Sequence, residues 1–389
     1  MKIPLKEYSG HLSYCMNVHP GNHWQDHFAA LKNFVPKVKA QVLSSKAPFG
    51  LGLRLSAEAV ATLLKAPEEI QALQAFCQQE NLYPYTINVF PYGEFHHGAV
   101  KESVYQPGWE TPERLQYTLQ AAQILAGILP ADLEYGSLST VALGYRALLK
   151  PENMPAIFSN LNSLIIQLEQ LERTTGRLVR VGLEPEPDCL LDSCDSICEF
   201  FTEQLRKDCL LPLNVQNRYL GVCLDTCHQA VLYESSTECL KTLRQADIPI
   251  VKVHISAAPI FSGQHLKPAE AFIDPVYLHQ SSVRIPSEAP VIHRFSDLPQ
   301  ALDFAKDHPE GELRTHFHIP LACPDSAELR SSRNELDPEF VRELQLSGVR
   351  HLEVETYTFA VLPAHLRQSP LEISIAEDLL FCRNLLKQM

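Results

Sequence analysis

Three short apolar runs each end on a side chain able to hold a cation: Val-Gly-Leu-Glu184, Val-Cys-Leu-Asp225 and Val-Lys-Val-His254. Two carboxylates and an imidazole brought together from neighbouring strands make a ligand set for a divalent ion. This mix of oxygen and nitrogen suits Mn²⁺, Mg²⁺, Co²⁺ or Zn²⁺ without choosing among them. With no cation present the carboxylates would repel, and one would have to take up a proton. Asp225-Thr-Cys-His228 adds an imidazole three residues on, placed to face a substrate or to support the ligand set. In Arg350–Thr358, strand alternation puts Glu353, Glu355 and Tyr357 on one face. Glu355 lies nearer the C-terminal end and is the expected fourth ligand, with Glu353 deeper and set against another polar group. Glu184 and Glu355, on opposite sides of such an ion, are also the candidate proton-transfer pair. His316-Phe-His318 turns two imidazoles to one face. Such a pair can bind metal, contact substrate or anchor structure, and the sequence leaves the three open.

For these groups to meet, the runs that carry them must be parallel strands of one sheet. Apolar runs do alternate with amphipathic segments along the whole chain, the pattern of successive βα units. The candidate strands are Leu12–Val18, Gly50–Leu55, Tyr85–Phe90, Tyr135–Val141, Leu178–Glu184, Tyr219–Asp225, Ile250–Ile255, Glu312–Ile319 and Arg350–Thr358. Thr111-Pro112-Glu113 and Asp337-Pro338-Glu339 each supply an N-cap, a first-turn proline and a first-turn acid, and Gly348 can close the second helix. Leu161, Leu164, Leu168 and Leu171 stripe a helix that ends near Gly176, and Ser369-Pro370 opens a C-terminal helix over 370–389.

This pattern predicts an α/β fold, a (β/α)₈ barrel forming a single domain over 1–389. Nine candidates are one too many, and the surplus falls in the long interval before the last strand. Within it, 256–295 has no clear period and is rich in Pro, His and Ser, so it reads as an insertion or lid loop. Pro91–Trp109 is a second long connection, and its His96-His97 reads as lid or solvated surface. An open doubly wound sheet is disfavoured, since no GxGxxG follows the first strand and no GxxxxGK[ST] occurs. In a barrel the active site gathers at the C-terminal strand ends. Besides the ligand set, those ends carry Asn17, His19, Arg54, Asn88, Ser139 and Glu186. His19, Arg54, Asn88, His228, His316 and His318 are the expected substrate contacts, whereas Ser139 suits a helix cap.

The bulk properties narrow the function further. With 389 residues and 45% hydrophobic content the chain can bury a large core. No apolar stretch reaches the roughly 18 residues of a spanning helix, and Met1–Gly10 lacks an apolar signal core. The expectation is a cytoplasmic protein that does not insert in a membrane. Eleven scattered cysteines without a paired CxxC set are most simply reduced thiols. A formal net charge of −13 with no basic run weighs against nucleic-acid binding and favours a small-molecule substrate.

The order Glu, Asp-x-x-His, His, Glu on successive late strands resembles the xylose-isomerase-like barrel superfamily, which includes ketose epimerases and, more distantly, endonuclease IV. Longer strings narrow the likeness: His11-Leu-Ser-Tyr-Cys-Met-Asn-Val-His-Pro-Gly21, Asn88-Val-Phe-Pro-Tyr-Gly93 with Val100-Lys-Glu102, His316-Phe-His-Ile-Pro320, and Leu352-Glu-Val-Glu-Thr-Tyr357. These resemble the metabolite traffic protein EboE family, from about Leu12 to Leu366. The resemblance implies a barrel, a divalent metal, and an operon setting linked to movement of a secondary-metabolite precursor, with contacts to other proteins of that operon. The interval from His254 to Glu355 is far longer than a simple epimerase needs. Three functions follow: an isomerase or epimerase of a polyhydroxylated or hydroxy-carbonyl compound, a non-catalytic metabolite-handling protein, or an endonuclease IV-like phosphoesterase. The acidic charge disfavours the last.

Overall fold

A computed structural model describes residues 1–387 apart from 6, 45, 97 and 210. His97 of the His96-His97 pair, and the last two residues of the expected C-terminal helix, therefore lie outside the described residues. Eight strands form the barrel wall: β1 (Tyr8–Tyr14), β2 (Phe49–Arg54), β3 (Leu82–Asn88), β4 (Gly136–Val141), β5 (Val179–Glu184), β6 (Leu220–Asp225), β7 (Ile250–Ile255) and β8 (His351–Val354). Each pairs in parallel with its neighbour from β2 round to β8, and β8 pairs in parallel with β1. A parallel bridge from Cys15 to Gly52 joins β1 to β2 and closes the ring. The fold is a (β/α)₈ barrel, and closure removes the sheet edges that would otherwise need covering.

Local sequence accounts for the helices that wrap it. Thr111 accepts from the Arg114 amide and Pro112 opens the helix Pro112–Ile128. Asp337 accepts from the Phe340 amide at 2.8 Å, starting Pro338–Leu346. Gly176, at φ 68°, ends Met154–Thr175 in the left-handed conformation that glycine tolerates best. The last helix, Leu371–Leu385, packs beside Trp24–Val42.

Two stretches differ from the expectation. The run read as Leu12–Val18 starts earlier, at Tyr8, and ends in a short 3₁₀ turn, because Lys2–Leu5 folds back and pairs antiparallel with it. The insertion between β7 and β8 is not a periodless loop over 256–295. It forms a five-stranded antiparallel sheet in the order Val291–Phe295, Ser281–Ile285, Glu312–Thr315, Pro259–Ser262, Arg330–Ser331, flanked by the helix Leu298–Lys306. The surplus ninth strand, expected over Glu312–Ile319, is the centre of this sheet and stops at Thr315, so His316 and His318 lie just beyond it. Bonds from the Ile319 amide to the Ala257 carbonyl, 3.0 Å, and from the Ser332 amide to the Ala258 carbonyl, 3.0 Å, tie the sheet to the mouth of the barrel after β7.

Inside the barrel, Gly52 on β2 leaves room for a carboxylate. A β-carbon there would overlap the Glu353 side chain from β8. Glu353 is fully buried and ion-paired with the equally buried Lys252 of β7. Strand alternation in Val-Lys-Val-His places Lys252 on the same inward face as His254, where it meets Glu353.

Candidate functional site

Glu184, Asp225, His254 and Glu355 meet at the C-terminal mouth. Each is at most 5% exposed, and one ligand atom from each lies within 4.8 Å of the others. Register explains the convergence: Asp225 pairs with His254 across β6 and β7, while Glu353 pairs with His254 across β8 and β7. Glu355 follows β8 by one residue, and its amide bonds back to the Ile255 carbonyl at 3.3 Å.

Each member is held by one part of its side chain and left free by another. Asp225 ends β6 and caps the helix Thr226–Val231. Its Oδ1 accepts from the Cys227 amide at 2.7 Å, the His228 amide at 3.0 Å and the Ser256 hydroxyl at 2.7 Å. The capping role is therefore real, and it fixes Oδ2 toward the cluster. The Asn17 amide donates to Oε1 of Glu355. His254 Nδ1 lies 2.8 Å from Glu184 Oε1 and 2.7 Å from Glu355 Oε2. One ring proton cannot serve both. Glu184 Oε2, Asp225 Oδ2 and Glu355 Oε2 are left buried with no hydrogen-bond partner, a state that proteins avoid unless something else satisfies it.

The local field is cation-seeking. Burial alone would lower the proton affinity of His254, but Cys223, Glu184 and Glu355 outweigh it and hold that affinity well above the usual range. Burial would raise Glu355, yet His254 brings it below the usual carboxylate range. Metal bonds of about 2.1 Å set neighbouring ligand atoms roughly 3–4 Å apart, a spacing this quartet can meet. The residues thus fit a divalent ion held by Glu184, Asp225 Oδ2, His254 Nδ1 and Glu355. On the far side of the ring, His254 Nε2 faces Glu353 Oε2 at 3.4 Å, so a carboxylate is in place to orient a metal-bound imidazole.

The quartet opens onto a pocket whose wall includes Asn17, Asn88, Glu184, Glu186, His228, His316, Glu355 and Tyr357. Phe90, Phe95, Tyr105, Tyr277 and Leu278 make the rest of the wall largely apolar. Of the expected substrate contacts, Asn88, His228 and His316 line this space, while His318 is fully buried behind it. Asn88 also steadies its own loop, accepting from the Phe90 amide at 3.0 Å. His19 and Arg54 are not brought to the pocket. His19 stacks on Phe34 at 4.4 Å and meets the Tyr14 hydroxyl at 3.1 Å. Arg54 donates to the carbonyls of Gly21 and Gly93, tying two mouth loops together beneath the Phe95 ring. His96, expected on a lid or solvated surface, is half-buried, with Nε2 2.6 Å from the Asn17 carbonyl and Nδ1 2.7 Å from the Tyr277 hydroxyl.

Glu186, one of the expected strand-end groups, finds partners that only the fold reveals. Glu186 is buried beside the quartet and takes a 2.6 Å bond from the Tyr105 hydroxyl, and burial pushes its carboxyl up to about 7. Tyr105 comes from the Pro91–Trp109 connection and Gln280 from the insertion. Neither carries a local sequence signal, because their partners are distant in the chain.

No family model and no curated protein sequence matches this chain. Among solved structures it is similar to an IOLI protein with a binding zinc atom, at 12% identity over 97% of this chain and 98% of that one, TM-score 0.49. It is also similar to a D-tagatose 3-epimerase-like protein, at 13% identity over 96% and 98%, TM-score 0.48. A third likeness is to a xylose isomerase domain protein from Planctomyces limnophilus, at 13% identity over 88% and 90%, TM-score 0.47.

Proposed function

We propose that this chain is a divalent-metal-dependent isomerase or epimerase of the xylose-isomerase-like kind, acting on a small hydroxy-carbonyl or polyhydroxylated metabolite. The observation that carries the reading is the buried quartet Glu184, Asp225, His254 and Glu355, whose carboxylates keep oxygens with no hydrogen-bond partner. A bound divalent ion would polarise adjacent substrate oxygens and stabilise negative charge as it develops on them. Glu184 and Glu355 remove a proton from the carbon next to the carbonyl and return it, from opposite sides of the site. The Asn17 bond to Glu355 Oε1 orients that carboxylate so that its other oxygen faces inward. Asn88 presents its side-chain amide to the substrate's remaining oxygens, and Phe90, Phe95 and Tyr357 shield the reacting carbon from water. Arg54 and His19 act at one remove, by holding the loops that form the rim. The resemblance to metabolite traffic proteins supplies the setting, a secondary-metabolite precursor as substrate.

The test is hydrogen exchange. Metal-loaded protein in D₂O with a panel of ketoses and hydroxyketones should label the carbon next to the carbonyl, read by NMR. Glu184→Gln and Glu355→Gln should each slow labelling by about 10²–10⁴-fold. A fully metal-loaded wild type that labels nothing across the panel would remove the isomerase reading and leave metabolite handling.

A further inference from the structure

Three imidazoles converge beside the carboxylate quartet without belonging to it. His228 stands in the first turn after β6, and His316 and His318 follow the strand Glu312–Thr315 of the inserted sheet. All three are at most 3% exposed, and one ring nitrogen of each lies within 4.8 Å of the others. Their ring centroids are 4.7 Å apart for His228–His316, 5.6 Å for His228–His318 and 5.3 Å for His316–His318.

Hydrogen bonding on the outer side of each ring decides where the lone pairs lie. His228 Nδ1 is 2.8 Å from the Pro185 carbonyl, and His318 Nδ1 is 3.1 Å from the Glu355 carbonyl. His316 Nδ1 is 2.9 Å from Gln280 Oε1. The Gln280 amide cannot be turned round, because its Nε2 donates to the Pro187 carbonyl at 3.0 Å and to the Tyr105 hydroxyl at 2.7 Å. A carbonyl oxygen only accepts, so every one of the three Nδ1 atoms carries the proton. Nε2 is therefore the nitrogen that each ring has left to offer.

Three imidazoles are thus gathered with each Nδ1 tied outward and each Nε2 left to offer to a cation. His316 Nε2 has only the Tyr357 hydroxyl, at 3.4 Å, and His318 Nε2 is buried with no hydrogen-bond partner. An N–H directed to a backbone carbonyl or amide on one side, with a lone pair directed inward on the other, is the arrangement that fixes metal-binding histidines. We infer that His228, His316 and His318 bind a second divalent cation through their Nε2 atoms, with Zn²⁺ the best match. Three nitrogen donors suit Zn²⁺, Co²⁺ or Cu²⁺ far better than Mg²⁺ or Mn²⁺, which favour the carboxylate-rich quartet. A fourth position is open toward the pocket, whose wall includes His228, His316 and Tyr357. The two sites adjoin, since a ring nitrogen of His318 also lies within 4.8 Å of an Asp225 oxygen. The inference stands apart from the isomerase reading, because it draws on the outer hydrogen bonds of the trio and not on the quartet.

The test is metal stoichiometry and spectroscopy on the full chain after chelator stripping and desalting. Titration with Zn²⁺, read by elemental analysis after gel filtration, should give two ions per chain for wild type and one for both His316→Ala and His318→Gln. Glu184→Gln should keep the trio's ion. Co²⁺ in place of Zn²⁺ should produce the visible bands of a four-coordinate nitrogen site, retained in Glu184→Gln and lost in the histidine variants. A wild type that takes one ion, lost in Glu184→Gln and kept in His318→Gln, overturns the second site and leaves the quartet intact. One ion lost only in the histidine variants sinks the quartet instead and upholds the trio. Should either histidine variant fail to fold, wild type alone decides: two equivalents of Co²⁺ without the four-coordinate bands overturn the inference.

Discussion

At the N-terminal end of the barrel, His11 meets the Tyr83 hydroxyl at 3.2 Å, and His351 meets Ser137 Oγ at 2.7 Å and stacks on Tyr135 at 4.1 Å. Ser137 donates on to Thr86 at 2.8 Å, and Tyr85 donates to the Leu352 carbonyl at 2.7 Å. None of these floor residues contributes an unpaired buried polar atom. At the C-terminal end, a comparable set of imidazoles, hydroxyls and acids leaves oxygens of Glu184, Asp225 and Glu355 and a nitrogen of His318 unpaired. Both ends are buried and polar, so neither burial nor polarity marks the site. Satisfaction separates these two ends: the floor network is closed, whereas the mouth keeps buried atoms that a cation could take.

The Lys252–Glu353 pair separates the two networks, and removing one partner should have the largest effect. Lys252→Met strands a buried carboxylate beside the quartet and should lower the unfolding free energy by about 3–5 kcal/mol, measured by urea denaturation. The double variant Lys252→Met with Glu353→Leu should recover much of that loss. If Lys252→Met unfolds at the wild-type urea midpoint, the pair does not insulate the floor from the site.

Next in size is the response to metal. Saturating the quartet at about 100 times its dissociation constant should stabilise wild type by about 2.7 kcal/mol. Glu184→Gln should lose that increment, yet in chelator it should be at least as stable as wild type, since one of three crowded carboxylates is gone. Tyr83→Phe at the floor should behave oppositely, with lower stability in chelator and an unchanged increment from metal. Thermal melts with and without metal give both numbers. Equal behaviour of the two variants would erase the distinction drawn between the ends.

How much of this was legible in the chain depends on how far each residue's partner lies. Glu184, Asp225 and His254 could be read because each breaks an apolar alternation at its end, a signal contained in four residues. Glu355 followed from alternation within one strand. The floor was not legible: His11, Tyr83 and His351 look like ordinary strand residues until closure of the barrel brings them together. Arg54 shows the converse, a charged strand end that serves the Gly21 and Gly93 carbonyls of its own rim. The inserted sheet escaped because, outside its one hairpin, its strands pair antiparallel across long separations and carry the Pro, His and Ser usual in loops. Asp225 caps its helix through Oδ1 alone, which leaves Oδ2 available to a cation.

Acid probes the floor through His11, and a variant separates its effect from the opposite one of Glu186, whose carboxyl is pushed up to about 7. Burial, helped by the nearby N-terminal amine and Lys2, pulls His11 down to about 4 from the ordinary 6.5. The folded state therefore binds fewer protons than the unfolded chain across that window. His11 contributes its stability fully above pH 6.5, and the contribution is lost as pH falls through 4. In chelator, wild type should lose about 3 kcal/mol over that window from this group. His11→Gln should flatten the corresponding part of the curve of unfolding free energy against pH. An unchanged slope in the variant would mean that another group carries the acid sensitivity.

The finest comparison makes the same edit at both ends. Ser137→Ala removes the hydroxyl that meets His351 Nδ1 and Thr86, leaving a buried imidazole nitrogen without its partner. It should cost about 1 kcal/mol of stability and leave metal affinity within a factor of two or so. Ser256→Ala removes one of three donors to Asp225 Oδ1 and leaves the Cys227 and His228 amides in place. The helix stays capped, so stability should move by only about half a kcal/mol. Asp225 Oδ2, however, loses part of what orients it, and metal affinity should fall by about tenfold, read by competition with a chromogenic chelator. The two serines differ little in burial or bond length, so a purely structural account predicts matched losses of stability and no change in affinity for either. Only a site that depends on an oriented, otherwise unpaired oxygen predicts that the more weakly destabilising of the two changes is the one that releases the metal.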